Sequence, residues 1–557
     1  MSSTEADLVF ASGKIRTPAH PSGFVQALAV RDGVIQALGT DDDIRELTGR
    51  RTRVIDLHGR LALPAFGDAH VHAVSGGLES LRCNLLGLRT RHECLDTVAD
   101  YSSALPAGGW VLGGGWTMSA FPGGLPTAAD LDTVTGGRPA FLPNRDHHSA
   151  WVNTRTLRLA GIDADTPDPI DGRIERDESG QATGTLHDGA MRLVADRVPI
   201  TSAAELVAGL VAGQTHLHSL GITSFQDACV GAAGELGMPD SFDAYLMAAD
   251  YGMLSSHVVG ALWWDRTRGL DQIDDLLARR ERASDGQFRA TTVKLMLDGV
   301  CETFTAAMSS PYLDRHGHST GHQGRLFIEP EVLREATQRL GAAGFQLHFH
   351  AIGDHAVSTA LDVIEALPAA QRQAARHHLA HLQFITPRDA GRFAALGAVA
   401  NFQPLWACAE TQMEELTLPF VGPERAAWQY QIGALVRQGT RVAFGSDWPV
   451  SSADPLQEIH VAVNRVLSER LGRPGKPECT DPFLPDQAIT VDAAIDAFTS
   501  GVAFVNHAED VAGRLLPGLR ADVAVLDQDL FAIPARDIGS TSVVMTMAGG
   551  TVVYGDR

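Results

Sequence analysis

The sequence predicts an α/β fold. A (β/α)8 TIM barrel carries a small β-sandwich made from both termini and a subdomain inserted after the first barrel strand. Three observations predict it. Short apolar strands alternate with amphipathic helical stretches through the middle of the chain. The two ends share another texture, of short strands and tight turns. One interval, residues 83–204, is too long for a loop between a strand and its helix.

At the N-terminal end, DLVFASGKI, ALAVRDGVIQALG and TRVIDLHG read as strands within residues 7–57. ADVAVLD (521–527), TSVVMTMAGG (541–550) and TVVYG (551–555) repeat the pattern at the other end. Neither set suffices for a stable sheet alone, so residues 1–63 and 508–557 are expected to pair into one composite sandwich. Residues 64–82 and 205–507 form the expected barrel domain. Its strands are read at 60–72, 221–228, 255–264, 290–299, 345–354, 377–384, 398–406 and 441–450. Stretches such as EPEVLREATQRLGAAG (329–344) and AVSTALDVIEAL (356–367) space apolar residues by three and four, as helices between strands do. Residues 83–204, with PAGGWVLGGGW, FPGGLP and RPAFLPNRDHHSAWVN, are expected to cover the C-terminal mouth of the barrel, where loops build active sites.

The 557 residues are 44% hydrophobic and 20% charged, enough to bury a large core. A net charge of −22 argues against nucleic acid or an anionic membrane as partner and leaves a small molecule as the expected one. Cys83, Cys94, Cys229, Cys301, Cys408 and Cys479 form no CxxC pair, the usage of reduced thiols. The first residues, MSSTEADLVFASGK, lack an apolar signal core, and no apolar run reaches about 20 residues, so the cytoplasm is the expected compartment.

Polar residues interrupt the strands near their C-terminal ends, where a barrel converges distant positions onto one site. His70 and His72 in GDAHVHA are two apart on a strand, so both imidazoles point the same way and can reach one metal ion. Lys294 sits inside the apolar strand TVKLMLDG, and only Lys14 and Lys476 accompany it among 45 basic residues. Burial favours its neutral amine, which can take up carbon dioxide and bridge two ions as a carbamate; pairing with Asp298 is the plain alternative. His350 and His381 follow on successive strands, with His348, His377 and His378 as competing candidates. Asp447, in FGSDWPV, ends the last strand. Nitrogen and oxygen ligands of this kind suit Zn2+ before Mn2+, Fe2+ or Co2+. Trp116, Trp406 and Trp448 either line an apolar substrate pocket or belong to the core.

These motifs, in this order, resemble the amidohydrolase superfamily, in particular its family 3 branch, which includes proteins similar to N-substituted formamide deformylases. LPAFGDAHVH, HHSAWVN, GITSFQDA, KLMLDG, HAIGD, FGSDWPV and AGRLLPGLRADVAVLD carry the resemblance over essentially the whole chain. It implies two metal ions bridged by carbamylated Lys294, with His70, His72 and Asp447 on one and His350 and His381 on the other. HAIGD selects His350 over His348, and the following Leu-Gln selects His381, although Ala380 stands where relatives often carry Glu. The implied activity is hydrolysis of an amide-like C–N bond, such as that of an N-formyl or N-acyl amine, by metal-activated hydroxide. Asp447 would serve as general base and then acid, and His148 would bind the carbonyl oxygen. A homodimer is the expectation from relatives. The rival readings are a lactone, ester or cyclic-amide hydrolase with the same machinery, then a deaminase, then a binding protein that has lost catalysis. Deaminases of the superfamily often carry Glu three residues after the fifth-strand histidine, where this chain has Gly353.

Overall fold

The computed structural model describes residues 5–195, 197–232, 237–471 and 481–555. Lys476 and Cys479 lie outside the described residues. Eight parallel strands form one sheet in sequence order: β1 (Phe66–Val71), β2 (Ile222–Val230), β3 (His257–Trp263), β4 (Phe288–Met296), β5 (Gln346–Ala351), β6 (His378–His381), β7 (Val399–Phe402) and β8 (Val442–Phe444). Their apolar runs are buried on both faces, as parallel strands covered by helices must be. On β4 and β5, Val293, Leu295, Leu347 and Phe349 join the apolar shell shared with the helices. Thr292, Lys294, Gln346, His348 and His350 alternate with them and face the barrel interior.

The last strand meets the first through side chains as well as backbone. Asp447 N donates to His70 O at 2.7 Å, and Ser446 N and Oγ donate to the two oxygens of Asp68 at 3.0 and 2.6 Å. Only glycine fits this seam at position 445, because a Cβ there would lie 2.4 Å from His70 N. The first expected strand, 60–72, divides: Leu61–Pro64 joins the terminal sheet, whereas Phe66–Val71 enters the barrel.

Residues 61–64 pair with Val523–Leu526 and lie in a six-stranded sheet that also holds Lys14–Arg16, Phe24–Val25, Val543–Ala548 and Thr551–Tyr554. A second sheet, of four N-terminal strands, packs over it with a core that combines Phe10, Leu28 and Leu57 with Val523, Val525 and Met547. The long interval between β1 and β2 leaves through helix α1 (Ala73–Leu81) and returns through α2 (Ala203–Ser219). Ser202 and Glu205 start α2 with reciprocal side-chain caps. The two helices touch at glycines; a Cβ on Gly77 would lie 1.8 Å from Gly209 O. Between them a six-stranded sheet runs from Cys83–Asn84 to Gly172–Arg176.

Candidate metal centre

The C-terminal ends of β1, β4, β5, β6 and β8 bring His70, His72, Lys294, His350, His381 and Asp447 into one buried cluster. Asp447 Oδ1 lies 3.1 Å from His70 Nε2 and 2.9 Å from His72 Nε2, and its Oδ2 lies 3.9 Å from His381 Nδ1. Lys294 Nζ is 3.4 Å from His70 Nε2. The His350 and His381 rings approach to 4.4 Å between centroids, and the His70 and His381 rings to 4.7 Å. Donor atoms of His70, His381 and Asp447 fall within 4.8 Å of one another. His381 and Asp447 both hold positive φ, 75° and 56°, a conformation that costs a non-glycine residue about 1–3 kcal/mol and gathers at functional sites.

Electrostatics put His70, His350, His381 and Asp447 in a ligating state. Burial pushes His70 down to about 3 and holds His350 and His381 well below the usual imidazole range, so all three are neutral near pH 7. Burial would raise the Asp447 carboxyl, but His70 and His72 hold it well below the ordinary carboxylate value. Burial lowers the Lys294 amine to about 8, against the pull of Asp447. Asp298 is not its partner. That carboxylate accepts from Ala307 N, Ile352 N and Gly353 N at 2.8 to 3.1 Å.

The donor set fits a divalent cation. His72 Nδ1 and His381 Nδ1 are buried and make no hydrogen bond among the described residues. Neutral imidazoles, a carboxylate and an amine at this spacing are the ligand types of a transition-metal site. A cation among them would relieve polar atoms that otherwise pay for burial without a partner.

His148 stands at the mouth, its ring 5.6 Å from that of His350. Its Nδ1 is 2.6 Å from Asp188 Oδ1. Burial lowers His148, but the Asp188 carboxylate, aided by Asp146 and Asp447, outweighs this and raises it above its usual value. The neighbouring His147 meets a second buried carboxylate, with its Nε2 2.9 Å from Glu79 Oε1.

The tryptophans separate. Trp406 stacks on His381 at 5.4 Å and lines a cavity of about 900 Å³ together with Trp448, Glu79 and Arg145. Trp116 corrects the pocket expectation: it is fully buried in the insertion, donates from Nε1 to Leu142 O at 2.8 Å and packs on Phe121 and Trp151. A residue not singled out as a site residue from sequence also serves here. Asp188 pairs His148 from a strand 40 residues on, and no spacing rule points to it.

A family model described as the amidohydrolase family matches residues 53–554. The chain is 30% identical to Protein LONG AFTER FAR-RED 3 of Arabidopsis thaliana, covering 99% of this chain and 92% of that one. It is 26% identical to the N-substituted formamide deformylase of Arthrobacter pascens, over 98% of each. Among solved structures, a metal-dependent hydrolase from Pyrococcus furiosus superposes with a TM-score of 0.69 at 27% identity, covering 94% of this chain and 99% of that one.

Proposed function

Since the chain belongs to the amidohydrolase family and is a hydrolase of carbon–nitrogen bonds, we propose that it cleaves an N-formyl or other N-acyl amine to an acid and an amine, using metal held by the six residues above. The observation that carries this reading is the buried convergence of His70, His381 and Asp447, with donor atoms within 4.8 Å, at the mouth of the barrel. The likeness to a deformylase supports the choice of substrate class. The same proposal takes Zn2+ as the ion, two per chain, a homodimer as the assembly and the cytoplasm as the compartment.

A divalent cation bound there supplies Lewis acidity, polarising a carbonyl and making water acidic enough to attack near neutral pH. Lys294 would hold the cations as a carbamate: its Nζ forms a bond to the carbon of carbon dioxide as one C=O π bond opens onto oxygen, and it gives up a proton, leaving a charge of −1. Its lowered basicity favours the neutral amine that this step needs. Asp447 is ionised and takes the proton of the water that adds to the carbonyl carbon. It then delivers that proton to the leaving nitrogen as the C–N bond breaks. His148, held by Asp188 through Nδ1, donates from Nε2 to the carbonyl oxygen as charge develops there. Trp406 and Trp448 give the cavity apolar walls for the alkyl or aryl group of the amine.

Turnover of a panel of N-formyl, N-acetyl, cyclic-amide and lactone substrates tests the assignment. N-formyl or N-acyl amines are expected to be hydrolysed. Lactone hydrolysis with no amide turned over overturns it. Metal analysis of protein purified without chelator is expected to find two ions per chain, and clearly less than one refutes the carbamate bridge.

A further inference from the structure

Beneath the metal centre, the barrel interior holds a chain of hydrogen bonds whose direction can be read from its far end. Gln346 is the lowest inward residue of β5. Its Nε2 donates to Arg376 O at 3.0 Å and Val505 O at 2.8 Å. Backbone carbonyls only accept, so the orientation of this amide is determined. Its Oε1 therefore accepts, from Thr292 Oγ1 at 2.8 Å and from Gln226 Nε2 at 3.1 Å. Gln226 Nε2 also donates to Asn506 Oδ1 at 3.1 Å, which leaves Gln226 Oε1 facing His348 Nδ1 at 2.7 Å. His348 must then carry its proton on Nδ1 and a lone pair on Nε2. That lone pair lies 3.0 Å from His70 Nδ1, which must be the protonated nitrogen of His70.

We propose that the relay Gln346–Gln226–His348 fixes His70 in its Nδ1–H tautomer, so that His70 Nε2 meets the metal as a bare lone pair, with His348 as the positioning residue. The contacts of His70 Nε2 agree with this once a cation is bound. That nitrogen lies 3.4 Å from Lys294 Nζ, a donor, and 3.1 Å from Asp447 Oδ1, an acceptor. Two acceptors 3.1 Å apart are stable only with a cation or a proton between them. Sequence spacing hides this division of labour, because His348 and His350 occupy the same face of β5. One holds another imidazole from below, and the other sits at the centre itself. A second-sphere partner of this kind typically changes metal affinity by about 10–100-fold.

The inference rests on the metal-centre reading, and the two can fail separately. In the full-length chain loaded with Zn2+ and labelled with ¹⁵N-histidine, protonated and unprotonated ring nitrogens are resolved, with His70 assigned by its loss in His70→Asn. His70 and His348 are both expected as Nδ1–H tautomers. His70 found as Nε2–H in the loaded chain overturns the relay. In competition titrations with Zn2+ and a chromophoric chelator, His348→Leu is expected to bind about 10–100-fold more weakly, with circular dichroism unchanged. His348→Gln, which keeps an acceptor toward His70, is expected to recover most of that loss. Unchanged affinity in His348→Leu overturns the positioning role. Should that variant fail to fold, the tautomer measurement on the unaltered chain still decides. A wild-type chain that takes up no Zn2+ refutes the metal reading, and the relay is then judged from His348, expected as the Nδ1–H tautomer because Gln226 Oε1 accepts from it.

Discussion

Two interiors of this molecule are equally closed to solvent and opposite in chemistry. Inside the barrel, Asp68, Gln226, Thr292, His348, His378 and Asn401 are all fully buried. Inside the insertion, Trp116 and Trp151 are equally buried, but they pack edge-on with Phe121 at centroid distances of 5.1 to 6.4 Å. Aromatic contact of the second kind holds shape and tolerates small shifts. A hydrogen-bonded column of the first kind has one allowed arrangement, because each donor and acceptor dictates the next. The chain thus concentrates costly polar burial where a nitrogen must be aimed, and uses apolar packing where a wall must only stand.

The comparison breaks most visibly if the two interiors respond alike to substitution. Asp447→Asn is expected to cut turnover by about 10²–10⁴-fold while the melting temperature barely moves. Initial rates on an accepted amide check this, and a loss below tenfold would remove Asp447 from proton transfer. Trp116→Ala should do the converse: it costs about 3–5 kcal/mol of stability in denaturant titrations and leaves the metal content unchanged. Metal loss at full stability would show that the insertion core shapes the centre directly. His148→Ala, which removes a donor at the mouth, should lower kcat about 10²–10³-fold.

The smallest effect sharpens the contrast through pH. His148 is raised above its usual value by Asp188, so the stability from this pair is fully present below the ordinary histidine range. It is lost as pH climbs through the raised folded value. Denaturation midpoints of the wild type and Asp188→Asn should therefore differ most at mildly acidic pH and converge as pH rises. A gap that widens with pH would reverse the assignment.

Much of this was legible in the sequence where one periodicity governed. The strands showed as short apolar runs, and the period of two placed His70 and His72 on one side of β1. Lysine scarcity drew attention to Lys294. What stayed hidden depends on groups that no local pattern joins. Gln226, Gln346 and Asn506 are ordinary amides until the barrel brings them within 3.1 Å. Trp116 lies in a Gly-rich stretch that resembles a loop lining, yet the strands around it fold it inward. The first strand reads as one element in sequence because its apolar run continues through Ala65, where the chain passes from the terminal sheet to the barrel.

The seam between β8 and β1 joins residues 378 positions apart, Asp68 and Ser446, and it also places Asp447 beside His70 and His72. During synthesis the two histidines emerge early and wait through nearly the whole barrel for their carboxylate. Before the last strand arrives, the centre lacks the carboxylate that faces both histidines. It comes into being in one late event, when the last strand docks and the most distant contact of the barrel is made.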